Sequence, residues 1–155
     1  MKKTIYLALA LSVLMTGCAS VNMASKEQSA KAKEFQQPPE GKAGVYLYRN
    51  SVLGKAVTKD LRIDGACVGT SAPDVFFYTQ VDGGKNHTVE TASEFSPNKL
   101  EIAFESGKNY FIRQFIKMGV FVAGADLEQV PEAQGKADVA KLEMAEGGKC
   151  SPPAK

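Results

Sequence analysis

Turn-forming residues punctuate this chain at short intervals. Gly65, Gly69, Asp82-Gly83-Gly84 and Ser106-Gly107 leave segments between them that suit strands better than helices. Val45-Tyr46-Leu47-Tyr48-Arg49 is built from β-branched, aromatic and aliphatic residues. Leu61-Arg62-Ile63-Asp64 alternates apolar with charged side chains, and Gly65-Ala66 turns it into Cys67-Val68-Gly69, the pattern of a hairpin. Val75 to Val81 is apolar on both faces, as a buried strand is. Thr88 to Thr91 is a weaker strand. Leu100, Ile102 and Phe104 alternate with Glu101, Ala103 and Glu105, giving one dry and one mostly wet face. Asn109 to Met118 is the longest strand, with Tyr110, Ile112 and Ile116 on one face and Phe111, Arg113, Phe115 and Lys117 on the other; Val120 to Ala123 would continue it past Gly119 through a bulge. Such spacing predicts a mainly β fold, a small antiparallel β-sandwich.

After Pro131 the composition shifts. Glu132 to Ala145 is rich in alanine, lysine and glutamate, with Pro131 suited to a first helical turn and Gly147-Gly148 to a stop. A short C-terminal helix is expected against one sheet, weakened by Gly135. The sandwich domain is therefore placed at residues 43–146, followed by a flexible tail at 147–155. Residues 18–42, small and polar before Pro38-Pro39, are expected to form a flexible tether with a typical span of about 27 Å; Lys26 to Phe35 suits a short helix within it, with few apolar groups to bury.

The N-terminus carries an address. Lys2 and Lys3 precede an apolar run from Ile5 to Met15, too short to cross a bilayer, which takes roughly 20 residues. That layout predicts a cleaved signal peptide over residues 1–17. Thr16-Gly17-Cys18 resembles the lipobox of bacterial lipoproteins, with Met15 where leucine is usual. The resemblance implies a diacylglycerol and an N-acyl chain on Cys18, and hence a protein anchored to a membrane rather than spanning it. Ala19, where aspartate would favour inner-membrane retention, implies the outer membrane, facing the periplasm, in a Gram-negative cell.

Loss of residues 1–17 removes Lys2 and Lys3, so the 19 basic side chains of the full chain fall into balance with its 17 acidic ones. A neutral body without a basic patch excludes a nucleic-acid binder. Beside the anchor, Cys67 and Cys150 form an even pair in an oxidising compartment. Joined, they would close a long loop worth about 4.5 kcal/mol in the chain-entropy model; the alternative is two unpaired thiols.

Little catalytic chemistry is visible. His87 is the sole histidine, no Gly-x-Ser-x-Gly elbow is present, and the ring is expected to pack or bond locally. No metal-ligand spacing or phosphate loop occurs, and no cofactor is expected. Tyr48, Arg49, Tyr110 and Arg113 stand out, since arginine on an aromatic strand can hold a carboxylate or stack on a ring. They form either a shallow site for an acidic ligand or partner, or structural ion pairs with residues such as Asp64 or Asp74.

Ala32-Lys33-Glu34-Phe35 before Pro38-Pro39, Gly44 to Arg49, Ile63-Asp64-Gly65, Gly107 to Arg113 and Gly119 occur in an order that resembles a bacterial lipoprotein family catalogued as a domain of unknown function, DUF2846. The Leu61–Val68 hairpin is also similar to PEGA-type β-sandwich repeats of envelope proteins, although Asp82-Gly83-Gly84-Lys85-Asn86-His87 departs from their usual turn. Neither resemblance implies a reaction. The expectation is a non-enzymatic envelope lipoprotein whose sandwich contacts an envelope protein or peptidoglycan; the alternative is a periplasmic binding or sensing module for a small anionic or peptidoglycan-derived ligand.

Overall fold

The computed structural model describes residues 20–51 and 53–152. Cys18 and the leader lie outside them. The chain folds as a two-sheet β-sandwich with a layer of helix on one outer face. In chain order the elements are α1 (Lys26–Ala32), β1 (Lys42–Arg49), β2 (Lys59–Ile63), β3 (Ala66–Ser71), β4 (Val75–Asp82), β5 (Lys85–Thr91), β6 (Asn98–Phe104), β7 (Asn109–Lys117), β8 (Gly124–Val130), α2 (Glu132–Val139) and β9 (Glu143–Met144). One sheet runs β8-β7-β1-β4-β9 and the other β3-β2-β5-β6. The expected sandwich is thus present, with two parallel pairings inside it, β1 with β7 and β4 with β9.

The residue pattern explains the layering. Val45 and Leu47 of β1 point between the sheets, where they meet Leu61, Ile63, Phe77, Val89, Ile102, Phe104, Ile112 and Leu127. Tyr46 and Tyr48 point the other way and pack with Phe76, Phe111 and Val130 beneath Ala32, Val139 and Leu142. β1 is therefore central and dry on both faces, which is why it reads as an unbroken apolar run. One polar link crosses the core: Gln114, fully buried on β7, accepts from Ser71 Oγ of β3 and donates to Thr91 Oγ1 of β5 at 2.7 Å. It joins the two sheets with every member satisfied.

Four expectations need correction. The tether is docked from Val21 onward: Val21 packs on the inner core, Met23 forms a bridge with Ala145, and Ser25 and Gln28 close a capping box at the start of α1. The helix needs few apolar groups because Ala32 and Phe35 suffice to cover Tyr46, whose hydroxyl donates to Ala32 O at 2.8 Å. Val120 to Ala123 is a loop, and the chain returns as β8, antiparallel to β7. The C-terminal helix stops at Val139, after which β9 joins β4. The tail lies down over its described residues, 147–152: Cys67 and Cys150 are joined by a disulfide, and Gly148 N donates to Val68 O at 2.8 Å, while Ser151 N donates to Asp60 Oδ2 at 2.8 Å.

Candidate functional site

The strand periodicity that builds the sandwich divides the four residues singled out from the sequence. Tyr48 and Arg113 are register partners of β1 and β7 on the helix-covered face. Arg49 belongs to the opposite face of β1, and Tyr110 packs on the inner core. All four are committed internally. Tyr48 Oη donates to Asp138 Oδ2 at 2.8 Å, tying α2 to β1, and burial, with that hydrogen bond, pushes the phenol above its ordinary value. Arg49 has no exposure; its Nη1 donates to Val57 O at 2.6 Å and its Nη2 to Gly54 O, so it organises the loop after β1. Burial pushes this guanidinium down, with the Asp74 carboxylate opposing the shift. Arg113 pairs with Glu128 across β7 and β8. Tyr110 Oη accepts from Glu105 N at 2.8 Å, and its ring meets Phe104 at 4.7 Å. These residues do not compose one surface, and Tyr48 is buried away from any partner.

His87 lies at the margin of a cleft of about 490 Å³ between β4 and β3, bounded also by Met144, Ala145, Gly147 and Gly148. Its Nδ1 is 2.6 Å from Asp64 Oδ2, its Nε2 is 2.8 Å from Asp82 O, and its ring stacks on Phe104 at 5.3 Å. Both nitrogens are thus occupied by acceptors, and the ring braces two turns instead of facing the cleft as a free base. The Asp64 carboxyl is held below its ordinary value by Thr88 N–H and then by His87. Asp82 is held at about 2 by Lys42 and Lys85 on either side of it. Among the described residues no group of three or more His, Cys, Asp or Glu is placed to hold a metal ion.

A different surface presents itself to solvent. Between β7 and β8 the loop carries Met118 at 86% exposure, Val120 at 75% and Phe121 at 83%, with Val122 beside them. Phe95, 77% exposed on the β5–β6 connection, meets Phe121 edge-on at 6.4 Å. Leu53 joins the same rim, and a shallow cavity of about 290 Å³ opens among Leu53, Ile116, Met118, Phe121 and Val122.

These apolar groups are not loosely held. The Glu94 carboxylate accepts the backbone N–H groups of Val120 (2.7 Å), Phe121 and Val122 (3.2 Å), fixing the loop from the opposite sheet. Against a desolvation cost that raises it, those three donors keep the Glu94 carboxyl below its ordinary value. Three successive N–H groups converging on one carboxylate form a backbone nest filled from within the protein. The arrangement does no bond chemistry; it shapes an exposed apolar tip. Sequence reasoning missed it because Val120-Phe121-Val122 has strand propensity. The signal was the absence of any polar alternation between Met118 and Ala123.

Comparison with known proteins adds kinship without an activity. The family described as Protein of unknown function (DUF2846) matches residues 39–125. An uncharacterised protein of Haemophilus influenzae is 54% identical over 135 residues, which is 87% of this chain and 80% of that protein. No solved structure matches.

Proposed function

The chain belongs to the family described as Protein of unknown function (DUF2846), and from that premise we propose that it is a non-enzymatic cell-envelope lipoprotein, held by acyl chains on Cys18, that presents its sandwich to another envelope component. The observation that carries the contact role is the apolar tip of Met118, Val120, Phe121 and Phe95, kept rigid by Glu94. Exposed, contiguous apolar groups mark interaction sites. A braced loop also loses less conformational entropy on binding than a mobile one. The location rests on the leader ending at Thr16-Gly17-Cys18, and the Cys67–Cys150 disulfide favours an oxidising compartment. The two structural cysteines pair with each other, leaving Cys18 for the anchor. No candidate residue of the acidic-ligand reading remains free, so the partner-contact role is the better supported.

The test is photo-crosslinking in the organism's own cells, with a benzophenone amino acid replacing Phe121. A discrete adduct in the membrane fraction, diminished by Val120→Asp in a protein of unchanged melting temperature, is expected. An empty crosslinking lane from correctly folded, membrane-bound protein would remove the contact role. Mass spectrometry showing an unmodified Cys18 would remove the anchor.

A further inference from the structure

The docked N-terminal segment limits how far the folded body can stand from an anchor at Cys18. We propose that the β9 edge of the sandwich rests against the lipid surface, held there by a leash of only three residues. This rests on acylation of Cys18 and deepens the reading above by assigning that edge to the bilayer.

The described chain starts at Ser20 and is engaged almost at once. Val21 packs on the inner core, Asn22 O accepts Glu146 N at 2.8 Å, Met23 bridges to Ala145, and Ala24 N donates to Met144 O at 2.9 Å. The segment thus continues the five-stranded sheet beyond β9. Only Cys18, Ala19 and Ser20 remain between the acyl chains and the folded body. Three residues, fully extended, reach at most about 10 Å. A free chain over residues 18–42 would have given a span of about 27 Å and a domain able to search at a distance. The docked chain does not allow it.

The consequence is an orientation. Acyl insertion places residue 18 at the headgroups, so Met23, which is 45% exposed, and the exposed Glu146 lie next to the lipid. The sheet order β8-β7-β1-β4-β9 sets β7 three strand spacings away from β9, about 15 Å. The tip at Met118 to Val122 then stands on the far side, turned away from the bilayer toward whatever binds it. The occupant of the β9 edge is a lipid surface, and a partner must come to the membrane to meet this protein.

The chain has no tryptophan, so single tryptophans report position without background. Lipidated full-length Glu146→Trp and Phe121→Trp variants are reconstituted in phosphatidylcholine vesicles containing a headgroup spin-labelled lipid that quenches nearby fluorescence. Strong quenching of Glu146→Trp and much weaker quenching of Phe121→Trp is expected. A Gly-Ser insertion of about a dozen residues after Ser20, adding a span of about 20 Å, should abolish most of the Glu146→Trp quenching. Vesicle-bound protein in which Glu146→Trp is unquenched, is quenched no more than Phe121→Trp, or is insensitive to the insertion overturns the lipid contact while leaving the anchor intact. A blue shift that grows with protein density without quenching would assign the edge to a second copy and overturns it as well. Acylated protein that fails to float with vesicles defeats the anchor and the inference together.

Discussion

Gly135 shows how one residue's role can be the reverse of what its propensity suggests. In a helix, glycine is a weakness of about 1 kcal/mol relative to alanine. Here it is the point at which α2 closes onto β7: Gly135 is buried, and a Cβ built on it would overlap the Phe111 ring. That ring cannot retreat. It is stacked on Tyr46 at 4.8 Å and bounded by Phe35 at 5.8 Å. Overpacking a fixed site costs about 1–3 kcal/mol, which outweighs the propensity gain. Gly135→Ala should therefore destabilise the protein by about 1 kcal/mol, lowering its urea midpoint at unchanged m-value. A more stable Gly135→Ala variant would mean that α2 does not press on β7 as described. Close contact between layers is invisible in a sequence, because nothing in the neighbours of Gly135 reports Phe111.

At the level of elements, legibility followed the range of the forces involved. β1, the β2–β3 hairpin, β6 and β7 were readable because period-two alternation and turn chemistry are local. The same alternation contained the fault in the candidate site: Tyr48 and Arg49 are adjacent on a strand and must face opposite ways. The docking of α1 and the existence of β9 were unreadable because what orders them is far along the chain, as Ser29 Oγ shows when it donates to Glu143 Oε2 at 3.0 Å. The loop before β8 has the clearest distant cause. Val120-Phe121-Val122 has strand propensity, yet its N–H groups are taken by Glu94 on the β5–β6 connection of the other sheet. Glu94→Gln should leave the sandwich folded but loosen this tip, with amide exchange at Val120 to Val122 rising several-fold at neutral pH and exchange in β1 unchanged. The acid response follows in sign. A carboxyl held low in the folded state supports the loop fully above its unfolded value, about 4.3, and loses that support as pH falls through the lower folded value. Protection at Val120 to Val122 should thus persist down to mildly acidic pH in the wild-type chain. Equal exchange in both proteins would make the brace irrelevant to loop order.

The whole molecule is closed along one flank by its own ends. A sandwich leaves strand edges that template unwanted pairing unless covered; here β3 is an outer strand of one sheet, and β4 would be an outer strand of the other but for the short β9. The segment from Glu143 to Ser151 crosses from one to the other: Ala145 N donates to Phe76 O at 2.9 Å on β4, and Gly148 N donates to Val68 O on β3. Residues 22–24 then pair along its outer side. The clasp is locked by the Cys67–Cys150 disulfide, which joins positions 83 residues apart. Its hydrogen bonds alone are few and partly solvated, worth about 1 kcal/mol each at most. The covalent link restricts the unfolded chain, for which a loop of this length gives about 4.5 kcal/mol in the entropy model and less in practice. Cys67→Ser with Cys150→Ser should cost about 2–4 kcal/mol, a fall in melting temperature on the order of 10 °C. The loss should come with faster exchange at Gly148 and Ser151, while Tyr46 and Ile112 keep their protection relative to global unfolding. Because the clasp also holds the N-terminal segment, the double variant should lengthen the leash and weaken lipid quenching at Glu146→Trp. A double-serine protein that melts within a degree or two of wild type would show that the flank is closed by packing, with the disulfide a passenger.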